Sequence, residues 1–253
     1  MDLQLTGLRA LVTGGTRGIG RAIVESLTAE GAEVAFCARD EAEVSSTVSA
    51  LEGSGARVIG TVLDVKDGPA VASWVNDTAE ALGGLDIVVP NVSALAIGPD
   101  EDTWRASFEV DLLHTVRVVA AAMPHLERSG NGSIVVVSSV SGREIDFAAA
   151  SYGTMKAALI HYTQGVAFQQ AGNGIRANSV SPGNVYFTGG IWNTVRDNDP
   201  ELYASALALN PTGRMARPEE VAYAVTMLAS PLASFISGSN LVVDGALTRG
   251  VQF

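Results

Sequence analysis

Short apolar runs recur along the chain and alternate with stretches in which apolar residues return every three or four positions. Arg9–Thr13, Glu33–Ala38, Arg57–Asp64, Asp86–Asn91, Ser133–Ser139, Arg176–Ser181 and Asn240–Val243 read as strands. Most are near-continuous apolar runs, as expected of strands covered on both faces. Helices are expected between them. Gly18–Gly31 ends in glycine, and Asp102–Arg128 and Ser151–Ala171 are the longest. This alternation implies an α/β fold: a single doubly wound parallel sheet of seven strands with helices on both faces. Such sheets bind ligands beyond the carboxyl ends of their strands. One segment breaks the rhythm. Residues 184–216 are rich in Asn, Gly and Pro, with one short helical stretch around Pro200–Ala208. A long insertion there suits a lid over a substrate. No linker, repeat or composition shift divides the chain, so residues 1–253 read as one domain.

Two constellations carry chemistry. Thr13-Gly-Gly-Thr-Arg-Gly-Ile-Gly20 joins the first strand to the first helix. Gly14 permits a tight exit from the strand, Gly18 lets the backbone approach a phosphate, and Gly20 lets the helix pack on the sheet. Thr16, Arg17 and Ile19 complete a turn that presents the helix N-terminus to a pyrophosphate. Glycine turns are common in α/β proteins; strand before, helix after and a further strand make this one a dinucleotide signal. Farther on, Tyr152 and Lys156 stand four apart on a predicted helix and so share a face. A free phenol ionises near pH 10, and a neighbouring cation favours the phenolate, as acid–base work near neutrality requires. Ser139, thirteen residues before Tyr152 at the end of a strand, supplies a hydroxyl to the same substrate oxygen. Lys156 is one of two lysines among fourteen arginines, so the position is not casually filled.

With these motifs in register, the chain resembles the short-chain dehydrogenase/reductase family nearly end to end, and within it the 3-oxoacyl reductase-like branch. The glycine turn matches the family's Thr-Gly-x-x-x-Gly-x-Gly pattern, and Ser139, Tyr152 and Lys156 match its catalytic set. Asp64-Val65 matches its pair beside the adenine, and Pro182-Gly183 its turn by the nicotinamide. Arg217-Pro-Glu-Glu-Val-Ala222, Ile236-Ser-Gly and Val243-Asp-Gly245 match its C-terminal elements. The resemblance implies a Rossmann-type nucleotide-binding domain. Tyr152 would donate the proton to a carbonyl oxygen, Ser139 would bind that oxygen, and Lys156 would hold the nicotinamide ribose. Val185 would lie near the carboxamide, whose usual threonine partner comes one residue earlier than Thr188 does here.

In this family an acid at the tip of the second strand marks NAD. Here Ala38 and then Arg39 stand there, and Arg17 fills the other phosphate-binding place, so NADP(H) is expected. Asp40 leaves NAD as the lesser alternative. Two departures stand out. The usual Asn-Asn-Ala-Gly after the fourth strand is Pro90-Asn91-Val92-Ser93, where Pro90 removes a backbone donor. The fourth catalytic position, normally Asn, is Asp111, whose negative charge would favour the lysine cation and disfavour a neighbouring phenolate.

Composition narrows the partners. A formal charge of −11 argues against nucleic acid. No apolar run reaches the roughly 20 residues of a membrane span, and the acidic start lacks the basic region of a signal peptide. One cysteine, Cys37, in an apolar strand, agrees with a cytoplasmic location. His114, His125 and His161 lack partners at ligand spacing, so no metal is expected and all three read as helix-surface residues. Val140–Ala150, with Tyr186, Phe187, Ile191 and Trp192 of the insertion, are the expected pocket walls, suggesting an apolar part to the substrate. Surplus apolar positions on the two long helices, among them Val116, Val119, Ala120, Met123, Ala157, Leu159 and Ile160, and the resemblance together predict a homotetramer, with a dimer as the smaller alternative. The expected function is NADP(H)-dependent interconversion of a small-molecule ketone, 3-oxoacyl-like or another small carbonyl compound, and its secondary alcohol. The rival is a non-catalytic NADP-binding sensor on the same fold.

Overall fold

The computed structural model describes residues 2–53 and 55–250; the ends of the expected 1–253 domain and position 54 lie outside the described residues. The strands are β1 (Arg9–Thr13), β2 (Glu33–Ala38), β3 (Val58–Val62), β4 (Ile87–Val89), β5 (Ser133–Val137), β6 (Arg176–Pro182) and β7 (Asn240–Val243). They form one seven-stranded parallel sheet in the order β3-β2-β1-β4-β5-β6-β7. The order reverses between β1 and β4, which opens a crevice at their carboxyl ends. β3 and β4 are shorter than the apolar runs suggested.

Alternate side chains sort the core into two layers. Ala10, Val12, Val34 and Phe36 face α1 (Gly18–Ala29), α2 (Glu41–Glu52) and α9 (Pro218–Ala229). Leu11, Ala35, Cys37 and Val88 face α3 (Gly68–Leu82), α5 (His114–Ser129) and α6 (Ser151–Gln170). Cys37 is fully buried, and desolvation pushes its thiol up to about 12, so it is core and not a nucleophile. Aspartates start several helices: Asp40, Asp67 and Asp100 accept from the backbone N–H three residues on. Among the described residues no helix is long and apolar enough to cross a membrane.

Two elements differ from the sequence expectation. The single helix expected over Asp102–Arg128 is three segments: α4 (Glu101–Ser107), a π-helical stretch (Phe108–Leu113) and α5. Along this run the Thr115 hydroxyl donates to the Asp111 carbonyl at 3.0 Å, and His114 Nδ1–H donates to the Val110 carbonyl. The insertion holds two helices, α7 (Ile191–Asn198) and α8 (Pro200–Leu209), where one was expected. They share a small core of Trp192, Ala206 and Met215, with Tyr186, Val195, Tyr203 and Leu207 packed on it.

Candidate active site

The glycine turn lies in the crevice between β1 and β4. Gly14 has φ +73°, and a Cβ on Gly20 would stand 1.9 Å from the Gly14 carbonyl oxygen. Asn91 locks the turn: its Nδ2 donates to the Thr13 and Gly14 carbonyls at 3.0 and 3.3 Å, and its backbone N–H to Thr13 Oγ1 at 2.9 Å. Pro90 has no N–H to give, so β4 stops at Val89, while the Pro90 carbonyl still accepts from Val137 at 3.0 Å. Arg17 precedes α1 without a side-chain cap, and no acid stands in the first turn, so the opening amides lie ready for an anion. Arg17 and Arg39 are exposed, and among the described residues neither forms an ion pair. Thr16 is occupied, donating its hydroxyl to Glu43 at 2.8 Å. Ile19 is half-buried, Val65 is buried, and exposed Asp64 accepts from Lys66 N–H at 3.0 Å. The tight glycine backbone, the uncapped helix start and two bases without ion pairs at the turn's rim are features that suit a dinucleotide.

Gly18 differs from expectation. The space a Cβ would take is filled by the ring of Phe187, with atoms 2.5–2.9 Å from that point, and the same ring crowds Gly190. The missing side chain at Gly18 therefore makes room for the insertion. Phe187 stands where the resemblance would put a threonine. Pro182 ends β6, and Gly183 packs on Asp244, where a Cβ would come within 2.9 Å of its Cβ. Val185 is buried and bridges to Ala216.

Tyr152, half-buried in the first turn of α6, and Lys156 share a face as expected, with Nζ 5.5 Å from the phenol ring centroid. Lys156 is only 2% exposed. Its Nζ donates to the Val137 carbonyl at 3.3 Å and lies 3.3 Å from Asp111 Oδ1. That carboxylate oxygen is close enough for an ion pair but lacks hydrogen-bond alignment; Oδ2 accepts from Ala94 N–H at 3.3 Å. The π-helical turn is what brings Asp111 to the lysine. Ser139 ends the stretch after β5, where its Oγ accepts from Ser141 N–H at 3.2 Å, leaving its O–H for an outside acceptor. The turn after Ser139 presses on α6: a Cβ on Gly142 would come within 2.7 Å of the backbone at Lys156 and Ala157. Ser138 ties the same elements, donating to the Lys156 carbonyl at 2.8 Å. Ser139, Tyr152, Lys156 and Asp111 thus gather around the ends of β4 and β5.

His114 was expected on a helix surface and is 1% exposed. The stripe Val110, His114, Val118, spaced by four, is the sequence signal for an inward position. Nδ1–H of His114 donates to the Val110 carbonyl and Nε2 lies 3.2 Å from Thr13 Oγ1, joining the π-helical turn to β1. Burial away from water favours the neutral imidazole, with Nε2 then accepting from the Thr13 hydroxyl. Desolvation, aided by the Lys156 charge and opposed by the bond to Val110, lowers it from its ordinary 6.5 to about 4. The unfolded chain therefore takes this proton first, and stability drains as pH falls from 6.5 towards 4. Over that window wild-type stability should fall about 1.4 kcal/mol per pH unit more steeply than in His114→Gln. Urea unfolding at several pH values measures this; parallel slopes would refute the neutral assignment.

Comparison with known proteins agrees with the geometry. Residues 14–248 match the family described as enoyl-(acyl carrier protein) reductase. The chain is 40% identical over 253 residues to isoepoxydon dehydrogenase of Penicillium expansum, covering 98% of each. It is 37% identical over 247 residues to cis-4-hydroxycyclohexanecarboxylate dehydrogenase of Sinomonas cyclohexanicum, covering 94% of this chain and 96% of the other. The crystal structure of a dehydrogenase/reductase from Sinorhizobium meliloti superposes with a TM-score of 0.90 at 30% identity, covering 98% of both chains. With its seven-stranded parallel sheet and glycine turn, the chain belongs to the short-chain dehydrogenase/reductase family, oxidoreductases that use a nicotinamide cofactor.

Proposed function

We propose that the protein is an NADP(H)-dependent oxidoreductase interconverting a ketone and a secondary alcohol, with Tyr152 as acid and base. The observation that carries this reading is the buried Lys156 ammonium 5.5 Å from the Tyr152 ring centroid and 3.3 Å from Asp111. A nicotinamide dinucleotide on the glycine turn supplies the hydride in reduction and accepts it in oxidation. Tyr152 gives its phenolic proton to the carbonyl oxygen as hydride reaches the carbonyl carbon, and takes the hydroxyl proton in the reverse direction. Ser139 donates its O–H to the same oxygen. Lys156 steadies the phenolate by its charge, and Asp111 acts through Lys156 by fixing that charge in place.

Arg17 and Arg39, exposed and unpaired among the described residues beside a β2 tip without an acid, support the choice of NADP(H). Changing both to alanine should weaken NADPH binding far more than NADH binding, read by titrating cofactor fluorescence. Wild-type protein that binds both equally, or prefers NADH, contradicts the assignment. For the substrate, one similar protein is named for a hydroxyl-bearing ring compound, cis-4-hydroxycyclohexanecarboxylate, which supports a small cyclic carbonyl compound over a 3-oxoacyl chain. A single cysteine, with no partner for an internal disulfide, supports a reducing, cytoplasmic setting. We also propose a homotetramer. Val119 and Leu159, read as surplus, are core residues, but Phe168 on α6 and Tyr223 on α9 are 86% and 68% exposed.

A further inference from the structure

Phe147 lies five residues before Tyr152 and is 64% exposed, yet its ring is not adrift. It meets Trp192 edge to face, with centroids 6.0 Å apart and planes at 77°. Trp192, the second residue of α7, is 7% exposed and rooted in the insertion's own core. The loop that carries Phe147 is equally fixed. Asp146 accepts from the Ser141 hydroxyl at 2.6 Å and from Ala148 N–H at 2.8 Å. The Ala148 carbonyl then accepts from Gly153 N–H at 2.8 Å, in the first turn of the helix bearing Tyr152. Phe147 is therefore tied on one side to the turn after Ser139 and to the start of α6, and on the other to a buried tryptophan. The aromatic pair joins the loop after β5 to the insertion after β6, the two segments expected to wall the substrate. Exposed Ile145 and Ile191 flank it, so the rim is apolar.

We propose that the Phe147–Trp192 pair closes one end of the substrate cleft and sets substrate size, admitting a compact ring ketone and stopping an extended acyl chain. This rests on the ketone–alcohol reading and adds a specificity-determining residue to it. A rigid ring supported by a second ring is a stop that a long substrate must displace and a compact one need not reach.

The test is kcat/KM with NADPH for cyclohexanone, 2-butanone, 2-hexanone and 2-nonanone, in wild type and in Phe147→Ala. Wild type should favour cyclohexanone over 2-nonanone. Phe147→Ala should raise 2-nonanone relative to cyclohexanone about tenfold, the scale on which hydrophobic pockets sort substrates by size, with NADPH affinity unmoved. An unchanged ratio in Phe147→Ala, or wild-type preference for 2-nonanone, overturns the proposal. Calorimetric titration of cyclohexanol and 2-nonanol into the protein with NADP bound gives the same comparison without turnover. If no ketone is reduced while binding still follows size and Phe147, the catalytic reading fails and the size stop stands. If turnover is normal but neither measurement depends on Phe147, the size stop fails alone.

Discussion

Tyr152→Phe should cut turnover about 10²-fold or more in both directions, a general-acid magnitude, while NADPH binds as before. In the proposed mechanism the Tyr152 phenol exchanges the proton, and the ring that remains keeps the contact with Lys156. Steady-state kinetics on any ketone the wild type reduces, with cofactor affinity measured separately, checks both halves. Near-normal turnover would remove Tyr152 from the mechanism, and lost cofactor affinity would show that the hydroxyl serves structure instead. The rival sensor reading makes a different forecast. It requires tight NADPH binding with no turnover of any ketone by the wild type, so that Tyr152→Phe has nothing to reduce.

Asp111→Ala should be the most destabilising of the site substitutions. Lys156 and Asp111 are both buried, at 2% and 0% exposure. Removing the carboxylate strands an ammonium with the Val137 carbonyl as its remaining polar neighbour on the strand side, and breaking one half of a buried pair costs about 3–5 kcal/mol. Asp111→Asn keeps an oxygen to accept from Ala94 N–H and a dipole near the lysine, so its loss should be clearly smaller. Denaturant unfolding of both variants with unchanged m-values is the measurement. Equal losses would show that the fit of the side chain, and not its charge, matters there.

The sheet and much of the site were legible in the sequence because both rest on short-range patterns. Buried parallel strands announce themselves as apolar runs. The glycine turn is contiguous, and Tyr152 and Lys156 meet because helix geometry brings residues four apart together. Two of the misread parts depend on contacts between distant segments. His114 turns inward because Thr13, on another element, satisfies its Nε2. The π-helical turn at Phe108–Leu113 is a local choice that propensity does not encode. α7 contains Trp, Asn, Thr and Val, poor helix formers, and forms around the buried Trp192. α8, by contrast, was legible around Pro200–Ala208: it starts on Asp199, which accepts from Leu202 N–H, followed by Pro200 at its first position. Phe147 and Trp192 both fell within the expected pocket walls, but their contact was not legible, since they are far apart in sequence and touch only in the fold.

The ring of Phe187, lodged between Gly18 and Gly190, constrains how this chain can diverge. Gly190 has an ordinary backbone, φ −83°, so only the ring forbids a side chain there. Gly18 has φ +54° as well, so it is barred twice. In a lineage of descendants, Gly190 could vary only after Phe187 had become small, whereas Gly18 would stay fixed in either background. The order of substitutions would then matter: the same two changes are accessible by one path and blocked by the other.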